Sequence, residues 1–205
     1  MYKSFTGIPK TLTAAVLGLS LAFSSAAVAG PGKPGNNQFA EGGTIVDIAL
    51  AVNAATGEFS NLLAAVLCFG PLDNNPVVDL LDGRKKHTLF APVDTAFDEL
   101  LGRLGETDPC DIDSATLLTV LQYHVVNGRR FSNSLFDPYD AKQISTLAGA
   151  QIVSFVDPDE GPTLHDVDGQ MVGVVEGLIN INAANGVIHV VDTVLLPIDL
   201  PDPTE

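Results

Sequence analysis

Apolar residues recur at helical intervals through the first half of the chain and at strand intervals through the second. Ile45, Ile48, Ala49 and Val52 fall on one helix face behind Thr44, whose hydroxyl suits an N-cap. Ser60 is placed to cap a second helix with Leu63, Val66 and Leu67 inward. A Pro-rich break over 70–76 separates this pair from an apolar run at 77–81. Residues 88–91 read as a short strand that stops at Pro92, which has no amide to give a ladder. Asp94 is then expected to cap a helix carrying Phe97, Leu100, Leu101 and Leu104, with Asp98 and Glu99 in the first turn, where the helix dipole favours negative charge. A helix opening at Ser114 puts Leu117, Val120, Leu121 and His124 on one face, so His124 is predicted to point into the core.

Beyond the Asn127-Gly128 turn the pattern changes to short β-type runs at 151–156, 171–175, 178–182 and 187–191, broken by Gly, Asn and Asp. Helices first and sheet later argue for an α+β domain rather than a βαβ alternation. No internal repeat is present.

The N-terminal residues read as an address. Lys3 and Lys10 precede an apolar run at 14–23, and Ala27-Val28-Ala29 has the small-residue pattern of a signal-peptidase site, which predicts a signal peptide over 1–29. The run is short for a bilayer span. Residues 30–41 read as a linker, 42–198 as the domain and 199–205 as a tail. The expected product is secreted, extracellular or periplasmic, with no membrane span in its mature form. Export together with two cysteines favours a Cys68–Cys110 disulfide over two unrelated buried thiols.

Charge narrows the partners. Across 205 residues, 10 Lys and Arg face 25 Asp and Glu, a net charge of −15. Nucleic acid is therefore an unsuitable partner, because phosphate binding needs a positive footprint. The run Arg84-Lys85-Lys86-His87 stands out against the acidic field and reads as a solvated turn before a strand.

Candidate chemistry is sparse. There is no G-x-S-x-G elbow, and His87, His124, His165 and His189 form no H-E-x-x-H or close pair, so a zinc site would need distant strands. His124 and His189 read as hydrogen-bonded core residues. Residues 164–169 resemble half a calcium loop but have Leu164 at the first ligand position. Asp157, Asp159 and Glu160 read as a solvated acidic loop, with a weak calcium site as the alternative.

Three segments in order carry a family pattern: Thr88-Leu89-Phe90-Ala91-Pro92-Val93-Asp94-Thr95-Ala96-Phe97, then Tyr123-His124-Val125-Val126, then Asn185-Gly186-Val187-Ile188-His189-Val190-Val191-Asp192 leading to Leu195-Leu196-Pro197. Thr44-Ile45-Val46-Asp47 and Ser145-Thr146-Leu147-Ala148-Gly149 fit as well. Together they resemble the fasciclin-like domain of fasciclin, periostin and many single-domain bacterial secreted proteins. Locally, Asn185-Gly186 is expected to form a positive-φ turn, and the strand after it, apolar on both faces, to be central.

The resemblance implies a wedge-shaped β-sandwich with helices along one edge. It implies a non-enzymatic cell-adhesion or matrix-interaction module without a cofactor, whose partners are cell-surface, matrix or biofilm components of protein or polysaccharide. In animal members, integrin recognition is ascribed to a tyrosine-histidine segment and to an Asp-Ile pair before the third motif. Tyr123-His124 matches the first. Asn180-Ile181 stands at the second without the acid, and no Arg-Gly-Asp occurs. The candidate interaction residues are thus Tyr123, His124, Asn180 and Ile181. The competing reading is a small-ligand binder or hydrolase with a pocket near His124 and His189.

Overall fold

The computed structural model describes residues 42–82, 85–167 and 169–197. The expected signal peptide, linker and tail, together with Arg84 and Asp168, lie outside the described residues.

Thr44 and Asp47 close a reciprocal capping box, and helix α1 (Ile45–Thr56) follows with Ile45, Ile48, Ala49 and Val52 buried, as the spacing predicts. Helix α2 (Ser60–Leu67) differs in phase from the expectation. Leu62, Ala65 and Val66 are buried while Leu67 is half exposed, because the buried Phe59 stands at the N-cap and sets the rotation. Ser60 does not cap α2; its hydroxyl donates to Gly57 and Asn53. The Asn61 amide in the first turn of α2 donates instead to the Asp94 carboxylate at 2.8 Å, so a distant residue does the work of a local cap. Asp94 is therefore not the side-chain cap of α4 (Asp94–Leu104), whose N-cap is Val93. Between α2 and α4 come helix α3 (Pro76–Asp82) and strand β1 (His87–Pro92).

A 3-10 turn, Pro109–Asp111, carries Cys110 to the C-terminal end of α2, where it is bonded to Cys68 with a Cα separation of 5.4 Å. Helix α5 (Ser114–Tyr123) is capped by Asp113, whose carboxylate accepts from Thr116, and buries Leu117, Val120, Leu121 and Tyr123. Strand β2 (Val125–Asn127), the single turn α6 (Ser132–Leu135) and strands β3 (Lys142–Ser145), β4 (Gln151–Asp157), β5 (Gly161–His165), β6 (Met171–Gly173), β7 (Ile181–Ala183) and β8 (Gly186–Val191) complete the order. The fold class is α+β.

Two four-stranded sheets form, in the orders β2-β1-β8-β7 and β3-β4-β5-β6. The first motif strand β1 runs parallel to the third motif strand β8, with Leu89 opposite Ile188 and Phe90 opposite His189. All six residues of each are buried, and β8 is a central strand as expected. Leu89, Ala91, Ile188 and Val190 pack with the helices, while Phe90 and Val191 pack with Ile144, Ile152, Leu164 and Val172 of the other sheet. The first sheet is thus the middle layer of three, and bridges at Val126–Thr146 and Val174–Val191 stitch the sheets together.

The third motif's turn departs from expectation. Neither Asn185 nor Gly186 has positive φ. Asn185 is buried, and its side chain accepts from the Ile45 amide at 2.8 Å and donates to the Leu81 carbonyl, tying α1 and α3 to the hairpin. Gly186 is needed for space, since a Cβ there would collide with the His87 carbonyl and the Ile45 side chain. Residues 178–182 are not one alternating strand: β7 begins at Ile181, after Asn180 at φ 62°. The segment read as half a calcium loop starts within β5.

Candidate functional site

Helix α5 ends where the two cores meet, and the tyrosine-histidine segment is the joint. Tyr123 is wholly buried, and its hydroxyl donates to the Gln151 carbonyl at 2.9 Å, linking α5 to β4. Burial, then the nearby negative charge of Asp166, pushes its phenol up to about 12. His124 is 2% exposed. Its Nδ1 lies 2.8 Å from the Val120 carbonyl, which can only accept, and the Leu195 amide donates to its Nε2 at 2.9 Å. Those partners assign the neutral tautomer protonated at Nδ1. Burial brings its pKa down to about 4.

The next amide is captured in the same way. Leu196 N–H donates to Asp166 Oδ2 at 2.9 Å, and the Asp166 carboxylate also accepts from the backbone and side chain of Gln170. The sequence places Asp166 in a stretch that resembles half a calcium loop, and nothing local shows that its carboxylate is turned onto the backbone. Its burial follows from β5, which ends one residue earlier.

His189 stacks on Phe90 with ring centroids 5.7 Å apart. Its Nε2 lies 2.9 Å from the Arg130 carbonyl, and the Asn180 amide donates to Nδ1 at 3.4 Å. Burial holds this ring too at about 4. His124 and His189 do not converge on a pocket. The apolar cleft that His124 borders, about 40 Å³ among α1, α2, α3 and the end of α5, has no acid and no second histidine on its walls. A larger cleft of about 250 Å³ between α4 and α5 has a floor of Leu100, Leu117 and Val120 and a rim of Glu106, Asp111 and Asp113.

Of the four candidate interaction residues, Tyr123, His124 and Ile181 are each 5% exposed or less. Asn180 is partly buried, accepting from the Ser132 amide and donating to the Ser132 hydroxyl, both at 2.7 Å. It caps α6. As they stand, these four side chains are engaged within the fold, with Asn180 alone reaching partly to solvent. The acidic loop is likewise engaged locally: Asp157 Oδ1 accepts from the amides of Asp159 and Glu160, which lowers its pKa.

The fold does assemble one surface that sequence order hides. Lys86 Nζ donates to the Ala184 carbonyl at 2.6 Å, and Arg129 donates to the same oxygen at 3.1 Å and to the Ala183 carbonyl at 2.6 Å. The antiparallel pairing of β1 with β2 brings them together, with Gly128 N–H donating to the Lys86 carbonyl. Lys85 and Arg130 flank them, and all four are exposed. The signal was in the composition: Arg84 to Lys86 and Arg129-Arg130 hold five of the ten basic residues.

Motif placement and family comparison agree on what this architecture is. The Fasciclin domain model matches residues 58–197. The chain belongs to the fasciclin-domain family. The match starts at Glu58, so α1 precedes it, although α1 supplies core residues to this fasciclin domain. Among relatives, Protein sll1483 of Synechocystis sp. is 30% identical over 75% of this chain and 73% of its own length. A second Synechocystis protein, sll1735, is 33% identical over 74% of this chain and 96% of its own. The cell surface glycolipoprotein MPB83 of Mycobacterium bovis is 30% identical over 60% of this chain and half of that protein. A domain pair from the insect cell adhesion molecule Fasciclin I shares the fold, with a TM-score of 0.50 at 18% identity over 66% of this chain and 45% of that one. Among the described residues, no helix is long and apolar enough to cross a membrane.

Proposed function

We propose that this fasciclin domain is an exported, non-catalytic interaction module that holds its bearer to cell-surface or matrix material. One observation carries the reading: the polar side chains of the family motifs are spent on the protein's own backbone. Both ring nitrogens of His124 and of His189 face backbone groups, and Asp166 and Asn185 are anchored in the same way. Catalysis needs a general base with an open lone pair or an activated nucleophile, and these groups offer neither. The closed Cys68–Cys110 bridge and the cell-surface glycolipoprotein relatives support export.

The test is retention of the purified protein, without residues 1–29, on envelope and matrix fractions from the cells that make it. Saturable retention that survives His124→Gln and His189→Gln is expected. Absence of retention, or an activity on small ester or glycoside substrates lost in either variant while the fold persists, would reverse the assignment.

A further inference from the structure

Lys86 and Arg129 direct two cations at one carbonyl oxygen, and among the described residues neither makes an ion pair. In a chain with net charge −15, like charges brought together without an acid between them make a local positive field. The field reaches inward: after burial, the Lys85 charge is the second cause lowering the pKa of His87, which is 1% exposed at the start of β1. The two long side chains are already pinned to the β7–β8 turn, so less freedom is lost when an anion arrives. Phe131, 37% exposed, follows Arg130 directly in sequence and leaves part of an aromatic ring open to solvent next to this edge's chain.

Resting on the interaction-module reading, we propose that this edge, formed by Lys85, Lys86, Arg129 and Arg130, docks an anionic polysaccharide of the envelope or matrix. Charge geometry selects a linear polymer over a membrane. A bilayer is a broad anionic plane that also meets charge beyond the four cations on a chain of net charge −15, whereas a single polymer chain meets only what lies within the screening length, about 8 Å at physiological salt. A sugar ring also stacks on one exposed aromatic, while bilayer insertion calls for a broader apolar face.

The probes are immobilised polygalacturonate, neutral dextran, and phosphatidylglycerol-phosphatidylcholine vesicles, each tested with the full mature chain. Binding to polygalacturonate but not dextran is expected, falling roughly tenfold or more between 50 and 200 mM NaCl as counterions compete. Lys86→Gln with Arg129→Gln should weaken it about tenfold. Lys85→Gln with Arg130→Gln should do likewise without touching a hydrogen bond that holds the fold. Lys142→Glu changes net charge by the same two units at the Asp137 ion pair and should change binding less than about twofold. Equal binding by all variants, or vesicle binding as tight as polymer binding, overturns the proposal. Retention on envelope fractions that polygalacturonate fails to compete would also sink it while leaving the interaction module standing; no retention at all counts against the module itself.

Discussion

Acidification should loosen this fold well before its carboxylates titrate. His124 and His189 sit at about 4 against an ordinary 6.5, because each is buried and one ring nitrogen must stay unprotonated to accept a backbone amide. Between those values the unfolded chain binds more protons than the native one. Stability from each histidine is therefore complete above pH 6.5, declines as pH falls, and is fully lost below about 4. At pH 5 the deficit is about 2 kcal/mol per ring, so about 4 kcal/mol for the pair, against a total of roughly 5–15 kcal/mol for a typical domain. His87 is shifted in the same direction and adds to the trend. The lowered carboxyls of Asp113 and Asp157 act only below their ordinary 3.8, outside this window. Protonation of other acids relieves self-repulsion and works the opposite way. Urea unfolding at pH 7.5, 6.5, 5.5 and 5.0 reads the slope directly, and His124→Gln and His189→Gln should each flatten it by about half even though each costs stability at pH 7.5. Stability that is level or rising from pH 7 to 5, or a slope unmoved by either variant, would refute the assignment of neutral, single-tautomer rings.

Three further outcomes follow from named contacts. Reducing Cys68–Cys110 should raise intact mass by two hydrogen atoms and lower stability by about 4 kcal/mol, the chain-entropy cost of freeing a 42-residue separation; an unchanged mass contradicts the bridge. Asn185→Ala should cost about 3 kcal/mol by thermal or urea unfolding, since it strands the Ile45 amide and the Leu81 carbonyl in the core, and a loss below 1 kcal/mol would show that these groups find other partners. Asp94→Ala should cost about 1 kcal/mol because it leaves the Asn61 backbone amide in the first turn of α2 without its acceptor, while Asp94→Asn, which keeps a side-chain oxygen there, should cost clearly less; equal losses from the two variants, or no loss from Asp94→Ala, would deny the remote cap.

Legibility followed the range of the interactions. The burial of α1 and of α5 through His124 was readable because the cap and apolar repeat are contiguous in sequence. The phase of α2 was not: its buried face is Phe59, Leu62 and Val66 at i, i+3 and i+7, which a start at Ser60 overlooks, and its first-turn amide is held by Asp94, far away in sequence. Strand β5 was hidden by acidic neighbours, though Thr163 and Leu164 are its buried residues. Asn185-Gly186 placed the turn one residue late, since the loop is Ala184-Asn185 and Gly186 opens β8, and for the wrong cause, because side-chain anchoring and space, rather than positive φ, select those two residues. The motif residues marked the fold accurately. Side chains that many parts of one domain depend on are turned inward, whereas the basic edge arises only once β1 and β2 pair.

The side-by-side pairing of β1 and β8 also sets an order of events. The middle sheet cannot gain its second central strand until the ribosome has delivered nearly the last described residue, because Leu89 waits for Ile188. Such long-range parallel contacts form late and slowly, as the intervening loop must close before any of its contacts are gained. Until then the helices lack the sheet face that covers Leu89 and Ala91, and the nascent chain stays extensible. A polypeptide that must thread a narrow translocation channel before it folds gains time from that delay, and a version truncated before Gly186 should remain protease-sensitive however long it is left to mature.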